Sequence, residues 1–292
     1  SAENRIRRIT PSGTVQPFAG TGNAGFSGDG AAAAAATFNV TRGIAVDANN
    51  TLFIADSTND RIRRVDAQGS ISTFAGASHF SGDGGPAPAA VMKYPSGVAV
   101  DGSGNVYISD SDNHRIRVVN PQGTIQTFAG NGIPGLADGP RTSAAVAYPY
   151  GMTFDISGSL YFADWGTDRI RRITSDGVVG TVAGSGSNGF SGDGSPANTA
   201  RLNGPTEIAF DSSRNLYIAD SSNQRIRKVT PDGAISTFAG SGVSGFGGDG
   251  GLATAARLRS PMAVAVDRDG NVYIADTFNN RIRRVTPNGL IS

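Results

Sequence analysis

Short apolar runs alternate with tight polar clusters along the whole chain, and the alternation recurs. In one stretch Gly43-Ile44-Ala45-Val46-Asp47 is apolar and suited to a buried strand, and Ala48-Asn49-Asn50 is a turn. Residues 51–56 form a second strand-like run, residues 57–60 a second turn, and Arg61-Ile62-Arg63-Arg64-Val65 a third run with partial alternation. Ala67-Gln68-Gly69 turns again before a fourth run over residues 70–76. Runs this short, bounded by Gly, Asn, Asp and Ser, read as strands rather than helices.

The unit repeats about every 55 residues. Ala-Asp recurs at Ala55-Asp56, Ala163-Asp164, Ala219-Asp220 and Ala275-Asp276, with Ser109-Asp110 in the second place. Arg-Ile-Arg begins at Arg5, Arg61, Arg115, Arg169, Arg225 and Arg281. Four antiparallel strands per repeat predict an all-β fold, a β-propeller of four-stranded blades. The repeats fall near residues 43–96, 97–150, 151–206 and 207–262, with a partial blade over 1–20 and a last unit over 263–292. First strands begin near Gly43, Gly97, Gly151, Glu207 and Ala263. Third strands outnumber second strands by one, and the reading favours six-fold geometry with one blade incomplete. A five-bladed ring with a surplus strand is the alternative. An incomplete blade leaves unpaired edge groups that invite self-association.

A Gly-rich connection follows each fourth strand, as in Gly25-Phe26-Ser27-Gly28-Asp29-Gly30 and Gly189-Phe190-Ser191-Gly192-Asp193-Gly194. Each runs on into Ala-rich sequence, where one or two helical turns are expected, capped by the Asp.

Composition adds exclusions. With 25 basic and 24 acidic residues the net charge is +1, which gives no general pull toward nucleic acid or anionic membrane. Only Lys93 and Lys228 are lysines; the other basic residues are arginines, suited to fixed ion pairs. Cysteine is absent, which removes disulfides and thiolate chemistry. No apolar stretch reaches 18 residues, so membrane insertion by a helix is not expected, and no signal-peptide pattern is visible at Ser1.

Pro95-Ser96-Gly97-Val98-Ala99-Val100-Asp101, Asn105-Val106-Tyr107-Ile108-Ser109-Asp110 and Asn113-His114-Arg115-Ile116-Arg117 resemble NHL repeats. The resemblance covers essentially the whole chain in five nearly complete copies. It implies a propeller, commonly six-bladed, among relatives that serve as protein-binding, RNA-binding or extracellular scaffold modules. Some relatives are peptide-amidating lyases or lactonase-like hydrolases, and fold alone does not choose among these roles.

Charged residues that recur in every repeat read first as structure. Asp56, Asp110, Asp164, Asp220 and Asp276 each precede by five residues an arginine, Arg61, Arg115, Arg169, Arg225 and Arg281. These pairs are expected to brace the turn between the second and third strands, rather than to ring a catalytic mouth. Asp29, Asp83, Asp138, Asp193 and Asp249 offer one carboxylate per Gly-rich loop. Turn or cap geometry is the expectation for them; calcium is the metal weighed there, since it takes six to eight oxygens. His79 and His114 are the only histidines, which excludes a three-histidine zinc site and counts against the amidating lyases. No other cofactor is expected.

Residues that break the repeat point to a partner. Trp165 stands where Ser57, Ser111, Ser221 and Thr277 align, and Phe278 where Thr58, Asp112, Gly166 and Ser222 align. Aromatics in polar turns can anchor a peptide or stack on a sugar. Trp165, Phe278, His114 and His79 are therefore the candidate partner-binding residues. The expected function is a non-catalytic scaffold displaying loops to a protein or carbohydrate, extracellular or in the cell envelope. A metal-dependent hydrolase or lyase and an RNA-binding propeller are the alternatives; the near-balance of charge disfavours nucleic acid.

Overall fold

The structure is a computed structural model that describes residues 3–76 and 82–292. The chain divides into two compact units, Ser1–Gly132 and Ile133–Ser292. In the first, a hairpin of β1 (Ile6–Ile9) and β2 (Val15–Ala19) precedes two four-stranded blades. The first blade holds β3 (Thr41–Val46), β4 (Leu52–Asp56), β5 (Arg61–Val65) and β6 (Ile71–Ala75). The second holds β7 (Pro95–Val100), β8 (Val106–Asp110), β9 (Arg115–Val119) and β10 (Ile125–Ala129).

In the second unit the third blade has five strands: β11 (Gly139–Pro140), β12 (Pro149–Phe154), β13 (Leu160–Asp164), β14 (Arg169–Ile173) and β15 (Val178–Ala183). Its added strand β11 is the divergent Gly-rich loop, paired outside β15. The fourth blade holds β16 (Pro205–Phe210), β17 (Leu216–Asp220), β18 (Arg225–Val229) and β19 (Ile235–Ala239). The fifth holds β20 (Pro261–Val266), β21 (Val272–Asp276) and β22 (Arg281–Val285), with Ile291 bridging Val285 where a fourth strand would lie.

This all-β propeller has five blades, which corrects the six-fold expectation. β1 and β2 carry the Arg-Ile-Arg pattern of third and fourth strands, but among the described residues they pair only with each other. The surplus Arg-Ile-Arg run thus marks a hairpin and not a sixth blade. First strands start two residues earlier than expected from Gly43, Gly97, Gly151, Glu207 and Ala263, because the backbone is already extended at Thr41 and at Pro95, Pro149, Pro205 and Pro261.

Strand alternation explains the core. Apolar side chains of one blade face those of the next, as in the cluster of Phe53, Ala55 and Ile62 with Met92, Val98 and Ile108. Equivalent clusters join the third blade to the fourth and the fourth to the fifth. Phe53 and Phe74, Tyr107 and Phe128, and Tyr217 and Phe238 meet edge-on with centroids 4.8 Å apart.

The Ala-rich segments form single 3-10 turns at Ala33–Ala35, Ala87–Ala89, Ala197–Thr199 and Ala253–Ala255. None is capped by a side chain: the residues before them are Ala32, Pro86, Pro196 and Leu252, and the loop aspartates are engaged elsewhere. Each fourth strand in a complete blade ends in Ala-Gly for a steric reason. At Gly184, φ is +90° and a Cβ would lie 2.2 Å from the Asp168 carbonyl oxygen.

Candidate functional site

The turns between second and third strands hold most of the candidate residues, and each is a 3-10 turn ending in a left-handed residue. Asp60, His114, Asp168, Gln224 and Asn280 take φ between 53° and 57° there. In three of them the side chain accepts the N–H of the residue just before the next first strand. The Tyr94 N–H donates to Asp60 at 2.7 Å, Gly204 to Asp168 at 2.8 Å and Ser260 to Gln224 at 2.6 Å.

The repeated carboxylates are tied to different arginines from those the five-residue spacing suggests. Asp56 and Arg61 do face each other across β4 and β5, as do Asp110 and Arg115, Asp164 and Arg169, Asp220 and Arg225, and Asp276 and Arg281. The ion pairs, however, run from Asp56 to Arg63, Asp110 to Arg117, Asp164 to Arg171, Asp220 to Arg227 and Asp276 to Arg283, at 3.1–3.5 Å. These aspartates and arginines are buried. Asp56 also accepts the Asn39 backbone N–H and the Asn59 side-chain amide.

The other terminal nitrogen of each buried arginine holds a loop aspartate. Asp29 pairs with Arg63 at 2.7 Å, and Asp83, Asp138 and Asp193 pair with Arg117, Arg171 and Arg227 at 2.6 Å. Asp249 is paired with Arg283 in the same way. Thr73 and Thr237 donate their hydroxyls to Asp29 and Asp193 at 2.7 Å. Each Gly-rich loop is thereby clasped onto a third strand 33 or 34 residues further along the chain.

Burial sets the charge states. It raises Asp164 and Asp220 to about 6 against the pull of Arg171, Arg227 and their amide and hydroxyl donors, and raises Asp56 and Asp110 as well. In the looser loop sites burial is overcome. The Thr73 hydroxyl and the Arg63 guanidinium hold Asp29 below the usual carboxylate range, and Thr127 and Arg117 do the same for Asp83. Three of the arginines that begin third strands stack on loop aromatics instead. Arg61, Arg225 and Arg281 lie 4.0, 3.6 and 3.9 Å from the ring centres of Phe26, Phe190 and Phe246.

As calcium ligands the loop aspartates are poorly set. Each serves a separate loop and already holds a guanidinium. Among the described residues no three His, Cys, Asp or Glu side chains converge to hold a metal ion.

Trp165 is different: several repeat breaks converge on it. It is 41% exposed, stacks on Tyr150 with ring centres 5.7 Å apart and meets Tyr148 edge-on at 6.0 Å. Two glycines make the room. A Cβ on Gly166 would lie 2.8 Å from the Tyr148 ring, and one on Gly204 would lie 3.1 Å from Trp165 Nε1. Other repeats place Thr58 or Asp112 at the first position and Tyr94 or Ser260 at the second. The partner tyrosines were missed at the sequence level, although Tyr150 stands where Ser96 and Thr206 align.

Glu207 was also missed. It replaces the Gly43, Gly97, Gly151 or Ala263 of other first strands. The absence of a Cβ on Gly151 admits it, since that Cβ would lie 2.1 Å from Glu207 Oε1. Burial raises its carboxyl to about 8, opposed only by the Ile208 N–H.

Phe278 is exposed in the fifth blade, 6.0 Å from the Arg259 guanidinium. His114 ends the turn of the second blade, its imidazole lowered by burial and by Arg115 and Lys93, against Asp112. His79 lies outside the described residues.

Comparison with known proteins follows the repeat. The NHL repeat profile matches residues 92–119 and 202–229, and the Teneurin NHL domain profile matches residues 16–81. The chain is 32% identical to Teneurin-m of Drosophila melanogaster over 231 residues, 70% of this chain but 8% of that protein. It thus spans a small part of that relative's length. Among solved structures, an auxiliary nutrient binding protein from Bacteroides thetaiotaomicron superposes with a TM-score of 0.71 at 17% identity, covering 100% of this chain and 64% of that one. A nidogen/laminin complex gives 0.65 at 19% identity, covering 98% and 87%. At these identities the likeness is one of fold.

Proposed function

The chain belongs to the NHL-repeat family, and on that premise we propose that it is a non-catalytic scaffold whose turns bind a carbohydrate or protein partner. The observation that carries the reading is the exposed Trp165–Tyr148–Tyr150 cluster, built where four positions, Tyr150, Trp165, Gly166 and Gly204, depart from the repeat. A flat, partly exposed indole held by two tyrosines needs little further ordering to receive a sugar ring or an apolar side chain. The recurring carboxylates, by contrast, are spent on guanidinium partners and leave little for acid–base chemistry. Binding frames of this fold, described as a nutrient binding protein and as a nidogen/laminin complex, agree with the reading. An extracellular or cell-envelope setting, where glycans and partner surfaces are displayed, goes with it. Among the described residues no helix is long and apolar enough to cross a membrane. Partners include other polypeptides, a second copy among them.

A glycan array followed by calorimetry on its hits tests the aromatic site. Trp165→Ala is expected to weaken binding about tenfold or more, equivalent to about 1.4 kcal/mol, with an unchanged circular dichroism spectrum. Equal binding by the variant would remove the site from this cluster and the reading with it.

A further inference from the structure

Ten recurring carboxylates, two in each blade, are met by an arginine. Glu207 is not. The first strands β12, β16 and β20 read Pro-Tyr-Gly-Met-Thr-Phe, Pro-Thr-Glu-Ile-Ala-Phe and Pro-Met-Ala-Val-Ala-Val, with no basic residue among them. Among the described residues only the Ile208 N–H, at 3.3 Å, serves the Glu207 carboxyl. On the strands packed against β16 (β12, β13, β17 and β20) the other ionisable groups are the carboxylates of Asp164 and Asp220 and the phenols of Tyr150, Tyr161 and Tyr217. Asp164 and Asp220 already hold Arg171 and Arg227.

Local irregularities aim the carboxyl. In β12, Pro149 pairs with Asp164 and Met152 with Phe162, so Tyr150 and Gly151 together oppose Ala163. In β16, Thr206 and Glu207 oppose Ala219 in the same way. Bulges of this kind re-aim side chains. Tyr150 turns onto the Trp165 ring, and the Glu207 carboxyl occupies the place of a Gly151 Cβ. Trp165 Nε1 in turn borders Gly204, three residues before Glu207. Indole, phenol and carboxyl thus share the seam between β12 and β16. Thr206 is committed to the Ser221 hydroxyl and the Met262 carbonyl. Glu207 keeps partial contact with solvent, so the seam is not sealed.

We propose that this seam receives a lysine side chain of a polypeptide partner, its ammonium on the Glu207 carboxylate and its stem along Trp165 and Tyr150. What the seam lacks is a cation. A compact ammonium on an unbranched four-carbon stem is narrow enough to pass beside the indole, and the stem is apolar enough to lie on it. A guanidinium is broader and planar, and a sugar ring stacked on the exposed indole stops short of the carboxyl. The aromatic faces favour the cation further. As the pair forms, the carboxylic acid releases one proton to solvent, so carboxylate and ammonium balance. The inference rests on the reading of the Trp165 cluster and names its occupant.

Trp165 is the sole tryptophan of the chain, so its emission reports the site directly. The test follows that emission while the protein is titrated with the peptide acetyl-Gly-Gly-Lys-Gly-Gly-amide at pH 8.5. A saturable change is expected. Norleucine or acetyl-lysine in place of lysine weakens binding about tenfold or more, as does Glu207→Gln in the protein. Affinity for the lysine peptide rises roughly tenfold or more between pH 6.5 and 8.5, because the carboxyl, raised to about 8, is competent only once ionised. Asp164 and Asp220 are raised only to about 6 and change little over that range. Calorimetry at pH 7 in buffers of different ionisation enthalpy shows about one proton released, and Glu207→Gln abolishes both the release and the pH dependence. No saturable change, an equal response to the norleucine peptide, a pH-independent affinity, or tighter binding of glucosamine than of the peptide would each overturn the proposal. Glycans that bind through Trp165 while the lysine peptide does not would sink this inference and leave the cluster reading standing, so the two fail separately.

Discussion

Glu207 shows how one residue departs from a repeat that otherwise repeats its chemistry. A carboxyl group seated over Gly151 has lost part of its hydration, and among the described residues no cation is paired with it. Its folded pKa of about 8 lies above the ordinary 4.5, so between those values the folded chain holds a proton that the unfolded chain has released. Stability from this group is therefore fully present below about pH 4.5 and is lost as pH rises through 8. Asp164 and Asp220, raised to about 6, act with the same sign over a lower window, from 3.8 upward. Glu207→Gln removes only the first contribution. In urea denaturation the variant is expected to match the parent at pH 4.5 and to exceed it at pH 8.5 by on the order of 1–3 kcal/mol. A difference independent of pH would show that the carboxyl is not held protonated by burial.

At the scale of the element, the clasp between a Gly-rich loop and a third strand has two unequal halves. Asp220 is buried with Arg227, whereas Asp193 keeps 42% of its side chain exposed. Arg227→Met leaves the Asp220 carboxylate buried without its cation and is expected to cost about 3–5 kcal/mol. Asp193→Ala removes a partly solvated partner and is expected to cost about 1 kcal/mol. Chemical denaturation of both variants checks the order; equal losses would mean that the loop, not the buried pair, bears the load. The sequence showed the recurrence of these residues but not their pairing. A spacing of five brings Asp56 and Arg61 opposite each other in the backbone, yet the ion pair forms at a spacing of seven. The second carboxylate comes from 34 residues upstream, beyond any local pattern. Trp165 was legible as a break in the repeat. Tyr150 and Glu207 carried the same kind of signal, but Glu207 served there only to mark the start of a strand.

For the whole molecule, strand type and repeat boundaries were legible because alternation and turn residues act within a few positions. Blade number was not, because it depends on whether β1 and β2 find partners, and Arg-Ile-Arg at Arg5 looks the same in a blade or in a lone hairpin. The same limit applied to the loop aspartates, read from the sequence as turn or cap residues with calcium as the metal weighed there, because the arginines that hold them lie 33 or 34 residues away. Five loops that each commit Asp29, Asp83, Asp138, Asp193 or Asp249 to a guanidinium make a molecule stapled by its own charges. Such a molecule is expected to gain little stability from a divalent cation. A structural calcium site at one hundred times its dissociation constant would add about 2.7 kcal/mol, which corresponds to roughly 5 °C or more in Tm. Calorimetry in millimolar calcium and in excess chelator is therefore expected to give the same Tm within about 1 °C. High salt is expected to lower it only slightly, since the inner pairs lie away from screening ions. A chelator-dependent fall of several degrees would mean that at least one loop aspartate has exchanged its arginine for a metal, and that the loops are held from outside the chain rather than from within it.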